Sequence, residues 1–309
     1  MKRLPIIIAI IGPNASGKST LGVALAKQYG GEVVSADSRQ VFQGLNLGSG
    51  KIKPEEMQGV PHHLLDVCKA GDFFSMADFQ RLAYETIENI RHRGNLPFLV
   101  GGTGLYVSSV TDGYELSGSR PDLDYRKELE HHTVEELNAM LREKLPDAQV
   151  DPRNRNRIMR LLERLHAGDF HPQGKNRRYN TLKLGVTWDR ESLQHRILER
   201  LERRLDEGMI QEVQHLLNTG LSQEFLLKLG LEYRLITQYL TGAIQSIEEM
   251  KRLLFIAIRQ FSKRQMTWFH RDLDIHWLDM KGNPLIEACD LIDIFISNHS
   301  QHTHTTSSG

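Results

Sequence analysis

The sequence predicts an α/β fold, a parallel sheet flanked by helices and interrupted by an inserted helical lobe, and three observations predict it. Short apolar runs alternate with helical patterns through roughly the first hundred residues. The run IIIAII at residues 6–11 feeds straight into the glycine loop GPNASGKST at residues 12–20. From about Glu115 a charged, helix-forming composition takes over and holds until the apolar run LKLGVTW at residues 182–188.

Taken in order, the expected strands are 5–11, 32–35, 63–67, 96–100, 182–188 and 275–278. The first four are short continuous apolar runs, as a strand buried on both faces requires, while 275–278 reads as a returning edge strand; ligands of such sheets gather beyond the strands' carboxyl ends. The ends here carry the glycine loop, Asp37, Asp66 and GGTGLY at residues 101–106. Residues 192–217 keep a helical apolar period up to a stop at Gly220, and a second long helix is expected over 247–269. Expected boundaries are a catalytic core over 1–114 and 182–290, a helical lobe over 115–181 and a disordered polar tail over 291–309.

Charge is balanced, 39 Lys and Arg against 39 Asp and Glu, so no global field marks a nucleic-acid binder and a basic surface has to come from local clustering. The two cysteines, Cys68 and Cys289, lie far apart without metal-ligand spacing, which points to a reducing compartment and no zinc site. The first apolar run is too short for a signal peptide, and no run of about 18 apolar residues exists for a membrane span. A cytoplasmic monomer without membrane contact is expected.

Gly12, Gly17, Lys18 and Ser19 fit G-x-x-x-x-G-K-[ST] between a strand and a helix, the signature of a P-loop NTPase-like core. Gly12, Pro13, Asn14, Ala15, Ser16 and Gly17 let the backbone curl so that N–H groups converge on a diphosphate or triphosphate; Lys18 adds a mobile cation and Ser19 a hydroxyl for Mg²⁺. Nothing in the loop reads a base. Asp37 admits three roles: holding the metal with Ser19, accepting a proton from a nucleophile, or capping a turn with Ser38.

Residues 151–183 hold nine Lys or Arg against three Asp or Glu. Asp151 and Pro152 have the residue types of a helix N-cap and first turn, after which Arg153, Arg157, Arg160 and Arg164 form one stripe beside an apolar one of Ile158, Leu161, Leu162 and Leu165. Such a stripe suits a nucleic-acid backbone or is a solvated charged face. On the later helix Arg252, Arg259 and Lys263 share a face, and Trp268 and Phe269 either stack on bases or pack inside. The His62-His63 pair faces opposite ways on a strand and does not suit one ion.

Together GPNASGKST, SADSRQVF, VPHHLLDV, GGTGLY, DPRNRNRIMRLLE and RQFSKRQMTWF, in this order, resemble the tRNA dimethylallyltransferases. The resemblance implies that the loop holds dimethylallyl diphosphate. It implies transfer of the dimethylallyl group to N6 of the adenosine next to the anticodon on its 3′ side, with Mg²⁺ assisting and a tRNA anticodon stem-loop as partner. It makes Asp37 the base, places Ser38, Arg39 and Gln40 against an extruded adenine and Thr103 near the reacting nucleotide. It also assigns Asn156, Arg157, Ile158, Met159 and Arg160 to tRNA contact, with Arg126 beside them, and gives Arg196 to the diphosphate. The chain departs from the family's motifs at GSGKIKP, residues 48–54, and at GLEYRL, residues 230–235. Two other readings stay open: an ATP-dependent small-molecule kinase, and a non-catalytic RNA-binding NTPase.

Overall fold

Residues 3–116, 122–169 and 174–301 are described by a computed structural model of the chain. Among them six strands form one parallel sheet: β1 (Ile6–Ile11), β2 (Gly31–Ser35), β3 (His62–His63), β4 (Leu96–Gly101), β5 (Asn180–Thr187) and β6 (Ile275–Asp279), in the order β3-β2-β4-β1-β5-β6. The strand pleat sends Ile7, Ala9 and Ile11 into one apolar cluster and Ile8 and Ile10 into another, one on each side of β1. Burial on both faces is why the inner strands β1, β2, β4 and β5 are largely apolar, whereas the edge strands β3 and β6 are not.

Helices α1 (Lys18–Gln28), α2 (Met76–His92) and α3 (Gly104–Thr111) follow β1, β3 and β4. Ser75 caps α2 by a reciprocal pair with Asp78: Ser75 Oγ accepts from Asp78 N at 3.1 Å while Asp78 Oδ2 accepts from Ser75 N at 3.0 Å. After β5 come α7 (Arg190–Asp206), α8 (Met209–Asn218), α9 (Gln223–Leu229), α10 (Leu231–Leu240) and α11 (Ile247–Phe269), and after β6 α12 (Pro284–Gln301). Helices α4 (Leu123–Glu130), α5 (Val134–Lys144) and α6 (Arg155–His166) belong to a separate compact unit, Tyr114–Asn176, with its own core of Leu129, Leu137, Leu141, Ile158, Met159 and Leu162.

Five expectations need correction. The strand expected over 63–67 is the two-residue β3, because Leu64 and Asp66 take positive φ, 61° and 58°, and turn the chain out of the ladder. The helix expected over 192–217 is two, broken at Gly208 with φ 102°; both halves keep one apolar period, so the break is hidden in the pattern. The basic helix starts at Arg155 under an Asn154 cap, since Asp151 Oδ1 is taken by Arg153 N at 3.0 Å in a tight turn before it. The polar tail is helical as far as Gln301, where Ile292 is buried against the sheet-side cluster; the expected disorder of residues 302–309 lies outside the described residues. The second unit also ends at 176, short of the expected 181, because Asn180 already pairs with Ile6.

Candidate active site

Strand β1 delivers the glycine loop to the carboxyl end of the sheet. Gly12 has no room for a side chain, since a Cβ would fall 2.5 Å from Val186 Cγ2, and Gly17 turns into α1 with φ 85°. Lys18 folds back so that Nζ donates to Pro13 O at 3.1 Å. Ser16 Oγ is buried with no hydrogen-bond partner, a polar atom that an incoming oxyanion would satisfy.

Three elements hold this loop from outside. Trp188 Nε1 donates to Ser16 O at 2.8 Å. On α7, Arg196 Nε donates to Ala15 O at 3.0 Å with its guanidinium over the Trp188 ring, and Arg200 Nη1 donates to Asn14 Oδ1 at 2.9 Å. On α11, the amide of Gln265 accepts from Asn14 N at 2.9 Å and donates to Gly102 O at 2.8 Å, tying the loop to the end of β4. Arg196 was expected from the family resemblance; Arg200, four residues on, was not singled out, and Gln265 lay inside RQFSKRQMTWF without an assigned role because its partners lie far along the chain.

Strand β4 separates β1 from β2, and past β2 stands Asp37. Its Oδ1 accepts from Arg39 N at 2.9 Å, so the turn-capping role is real, while its other oxygen makes no hydrogen bond among the described residues. One oxygen fixes the side chain and the second is left for chemistry. Thr103 Oγ1 accepts from Ser38 N at 3.0 Å, and Gln40 is held between Ser35 Oγ, 3.0 Å, and Gly50 O, 3.1 Å. The residues 37–40 and Thr103 are therefore one bonded cluster. A pocket joins this cluster to the loop, lined by Lys18, Ser19, Asp37, Gln40 and Arg200 on its polar side and by Val33, Ile52, Leu65 and Val100 on its apolar side.

Cations dominate this pocket. Burial pushes the Lys18 ammonium down to about 8, and the neighbouring Arg200 pushes the same way against a smaller pull from Asp37. A buried positive centre of this kind calls for an anion. Loop 48–54 is fixed by Glu212, which accepts from Leu47 N at 2.7 Å and Gly48 N at 3.0 Å, and by Lys51 Nζ on Phe42 O and the Asp66 carboxylate.

The remaining predicted residues do not join this cluster. In the Tyr114–Asn176 unit, Asn156 and Arg157 are exposed, whereas Ile158 and Met159 are 0% and 2% exposed and serve as core. Their assignment to direct RNA contact is corrected on that ground. Arg126 and Arg160 both pair with the buried Glu163, at 3.1 and 3.2 Å, and Arg164 with Asp169 at 3.0 Å, so the expected open arginine stripe is largely neutralised. Phe269 is core and Trp268 packs on Gly104, which decides for packing over base stacking. His62 and His63 face Val60 O and Glu32, not one another.

The family model described as IPP transferase matches residues 40–272. The chain belongs to the IPP transferase family. It is 43% identical to tRNA dimethylallyltransferase 2 of Syntrophotalea carbinolica, over 90% of this chain and 96% of that one. It is 38% identical to tRNA dimethylallyltransferase of Geobacillus thermodenitrificans, over 89% and 90%. A solved structure, the full-length tRNA isopentenylpyrophosphate transferase of Bacillus halodurans, superposes with a TM-score of 0.75 at 37% identity, covering 98% of this chain and all of that one. As an IPP transferase the chain is a prenyl-transferring enzyme with a P-loop NTPase-like fold, and the kinase reading is not favoured. Among the described residues no helix is long and apolar enough to cross a membrane.

Proposed function

We propose that the chain transfers the dimethylallyl group of dimethylallyl diphosphate to N6 of the adenosine 3′-adjacent to the anticodon in tRNAs and releases diphosphate. One observation carries the reading: the phosphate loop with Lys18 and the free carboxylate oxygen of Asp37 line a single pocket. The diphosphate lies in the loop, where backbone N–H groups, Lys18 and Arg200 disperse charge as the allylic C–O bond breaks. The adenine amine forms the new C–N bond, and its proton passes to Asp37. Fixed by its bond to Arg39 N, that carboxylate aims one lone oxygen at the amine. Ser38, Gln40 and Thr103 hold the extruded base, and the apolar wall of Val33, Ile52, Leu65 and Val100 suits the five-carbon chain.

The residues fit Mg²⁺: Ser19 and Asp37 line the pocket beside the diphosphate position, and this ion commonly takes only one or two protein ligands with phosphate oxygens and water completing its shell. When bound, Mg²⁺ would add leaving-group charge stabilisation. Arg252 and Lys263, exposed on α11, are proposed backbone contacts of the anticodon stem-loop; for the second unit, taken by itself, the exposed Asn156 and Arg157 are the proposed tRNA contacts. We infer a cytoplasmic monomer, since its acceptor is a tRNA and α7 and α11 are occupied by internal packing; sedimentation at working concentration tests the latter.

Incubation with labelled dimethylallyl diphosphate, with and without tRNA, tests the function. Label on an anticodon-loop adenosine, found by nucleoside mass spectrometry, is expected. Transfer of a phosphate from ATP to a small acceptor, with none to tRNA, would overturn it.

A further inference from the structure

Glu232 opens the first turn of α10 and is buried to 1% exposure, where a carboxylate needs charged partners. It has two, on opposite sides. Oε2 accepts from Arg39 Nη1 at 3.0 Å, and Oε1 lies 3.6 Å from Arg204 Nη1. Arg39 belongs to the segment carrying Asp37. Arg204 ends the α7 row that begins with Arg196 and Arg200, and its Nη2 is buried with no hydrogen-bond partner.

Gly50 closes the arrangement. Its φ is +64°, a Cβ there would fall 1.5 Å from Arg204 Nη2 and 2.4 Å from Arg200 Nη2, and its carbonyl accepts from both Gln40 Nε2, 3.1 Å, and Arg200 Nη2, 3.4 Å. Gly50 of the loop 48–54 and Glu232 of α10 therefore meet at Arg204.

The Arg39 side chain is 16% exposed, and its guanidinium rests over the Phe261 ring at 5.4 Å. A ring face orients a cation weakly, whereas a buried carboxylate at 3.0 Å fixes both distance and plane. Arg204 in turn places a second cation beside that carboxylate. Charge therefore runs from the phosphate side to the acceptor side through one residue that touches neither substrate.

We propose that Glu232 is a positioning residue for the acceptor half of the reaction: with Arg204 and Gly50 behind it, it holds Arg39 where the incoming nucleotide is met. This rests on the function proposed above. Without Glu232 the Arg39 side chain has only the ring, and a displaced contact of about 1 Å costs on the order of a hundredfold in turnover.

The test compares wild type, Glu232→Gln, Arg39→Gln and their double variant by single-turnover transfer to tRNA, by calorimetric binding of inorganic diphosphate, and by melting temperature. Each single variant is expected to lose about a hundredfold in transfer, and the double no more than either, while diphosphate affinity stays within about threefold. Adding Arg204→Leu to Glu232→Gln removes the stranded cation. Melting temperature is expected to recover and transfer is not.

Recovery of both would make Glu232 a counter-ion only and overturn the proposal. So would a loss of diphosphate affinity equal to the loss of transfer. Should Glu232→Gln not fold, Glu232→Asp keeps the charge on a shorter arm; it is expected to fold and to lose transfer, and full transfer would overturn the proposal. A wild type that labels no tRNA would overturn the function instead. Placement of Arg39 would then be read from anticodon stem-loop binding, which Glu232→Gln must weaken as much as Arg39→Gln does.

Discussion

Helices α6 and α7 each carry arginines at near-helical spacing, yet, Arg204 with its Glu232 apart, the two rows have opposite fates. On α7, Arg196 and Arg200 give their hydrogen bonds to Ala15 O, Asn14 Oδ1 and Gly50 O, all neutral acceptors, so their charge stays available to an anion in the loop. On α6, Arg160 faces Glu163 and Arg164 faces Asp169, carboxylates that cancel the charge. Arg153 lies before the helix, leaving Arg157 exposed. A row of like charges marks a binding site only where its partners are neutral, and spacing alone does not reveal the partners.

The comparison breaks most visibly at the residue between the cations. Asp37→Asn keeps the turn but removes the base, so transfer should fall about a thousandfold while diphosphate binding holds, measured by single turnover against calorimetry. Arg200→Leu removes a charged donor next to the loop and should weaken inorganic diphosphate about tenfold to a hundredfold. Arg164→Leu, by contrast, removes one charged hydrogen bond to the partly buried Asp169 and should cost about 2 kcal/mol in denaturant unfolding with no change in diphosphate affinity.

A pH experiment sharpens the same contrast. The folded Lys18 value, about 8, lies below the ordinary 10.5, so the fold carries the cost of a buried ammonium below pH 8, and that cost disappears between 8 and 10.5. The empty protein loses this charge as pH passes about 8, and a bound diphosphate restores it. Diphosphate affinity should therefore fall above pH 8 with proton uptake, seen as a buffer-dependent binding enthalpy. The smallest effect belongs to Arg157→Ala, expected to weaken tRNA by less than about threefold and to reduce the salt slope by about one.

Much of this was legible because short-range physics wrote it. The run IIIAII followed by a glycine loop specifies a buried strand and an anion cradle, and α11 runs from Ile247 to Phe269 as its apolar period requires. The errors arose where a distant partner overrode a local preference. Leu64 and Asp66 adopt positive φ because the segment is pinned across the fold, with Asp66 N donating to Gln40 O and Cys68 N to Val41 O. Asp151 has the right residue type for a cap and spends it on Arg153 N. In the site, the phosphate loop and Asp37 were legible, but the roles of Gln265 and Glu232, though both lie in stretches the sequence singles out, were not. Their bonds to Asn14 and Arg39 span 251 and 193 residues, and no periodicity reaches that far.

The sheet order places β4 between the strand that ends in the phosphate loop and the strand that ends at Asp37, two strand widths or about 10 Å across. At its tip β4 bears Gly101 and Gly102, where an added methyl would strike Ala36 O at 2.2 Å and Gln265 Nε2 at 2.5 Å. Without side chains there, the chain leaving β4 presses directly on Ala36, next to Asp37, and on Gln265, which ties down the phosphate loop. A bulkier residue at either glycine would push those two neighbours outward and so loosen both halves of the site at once.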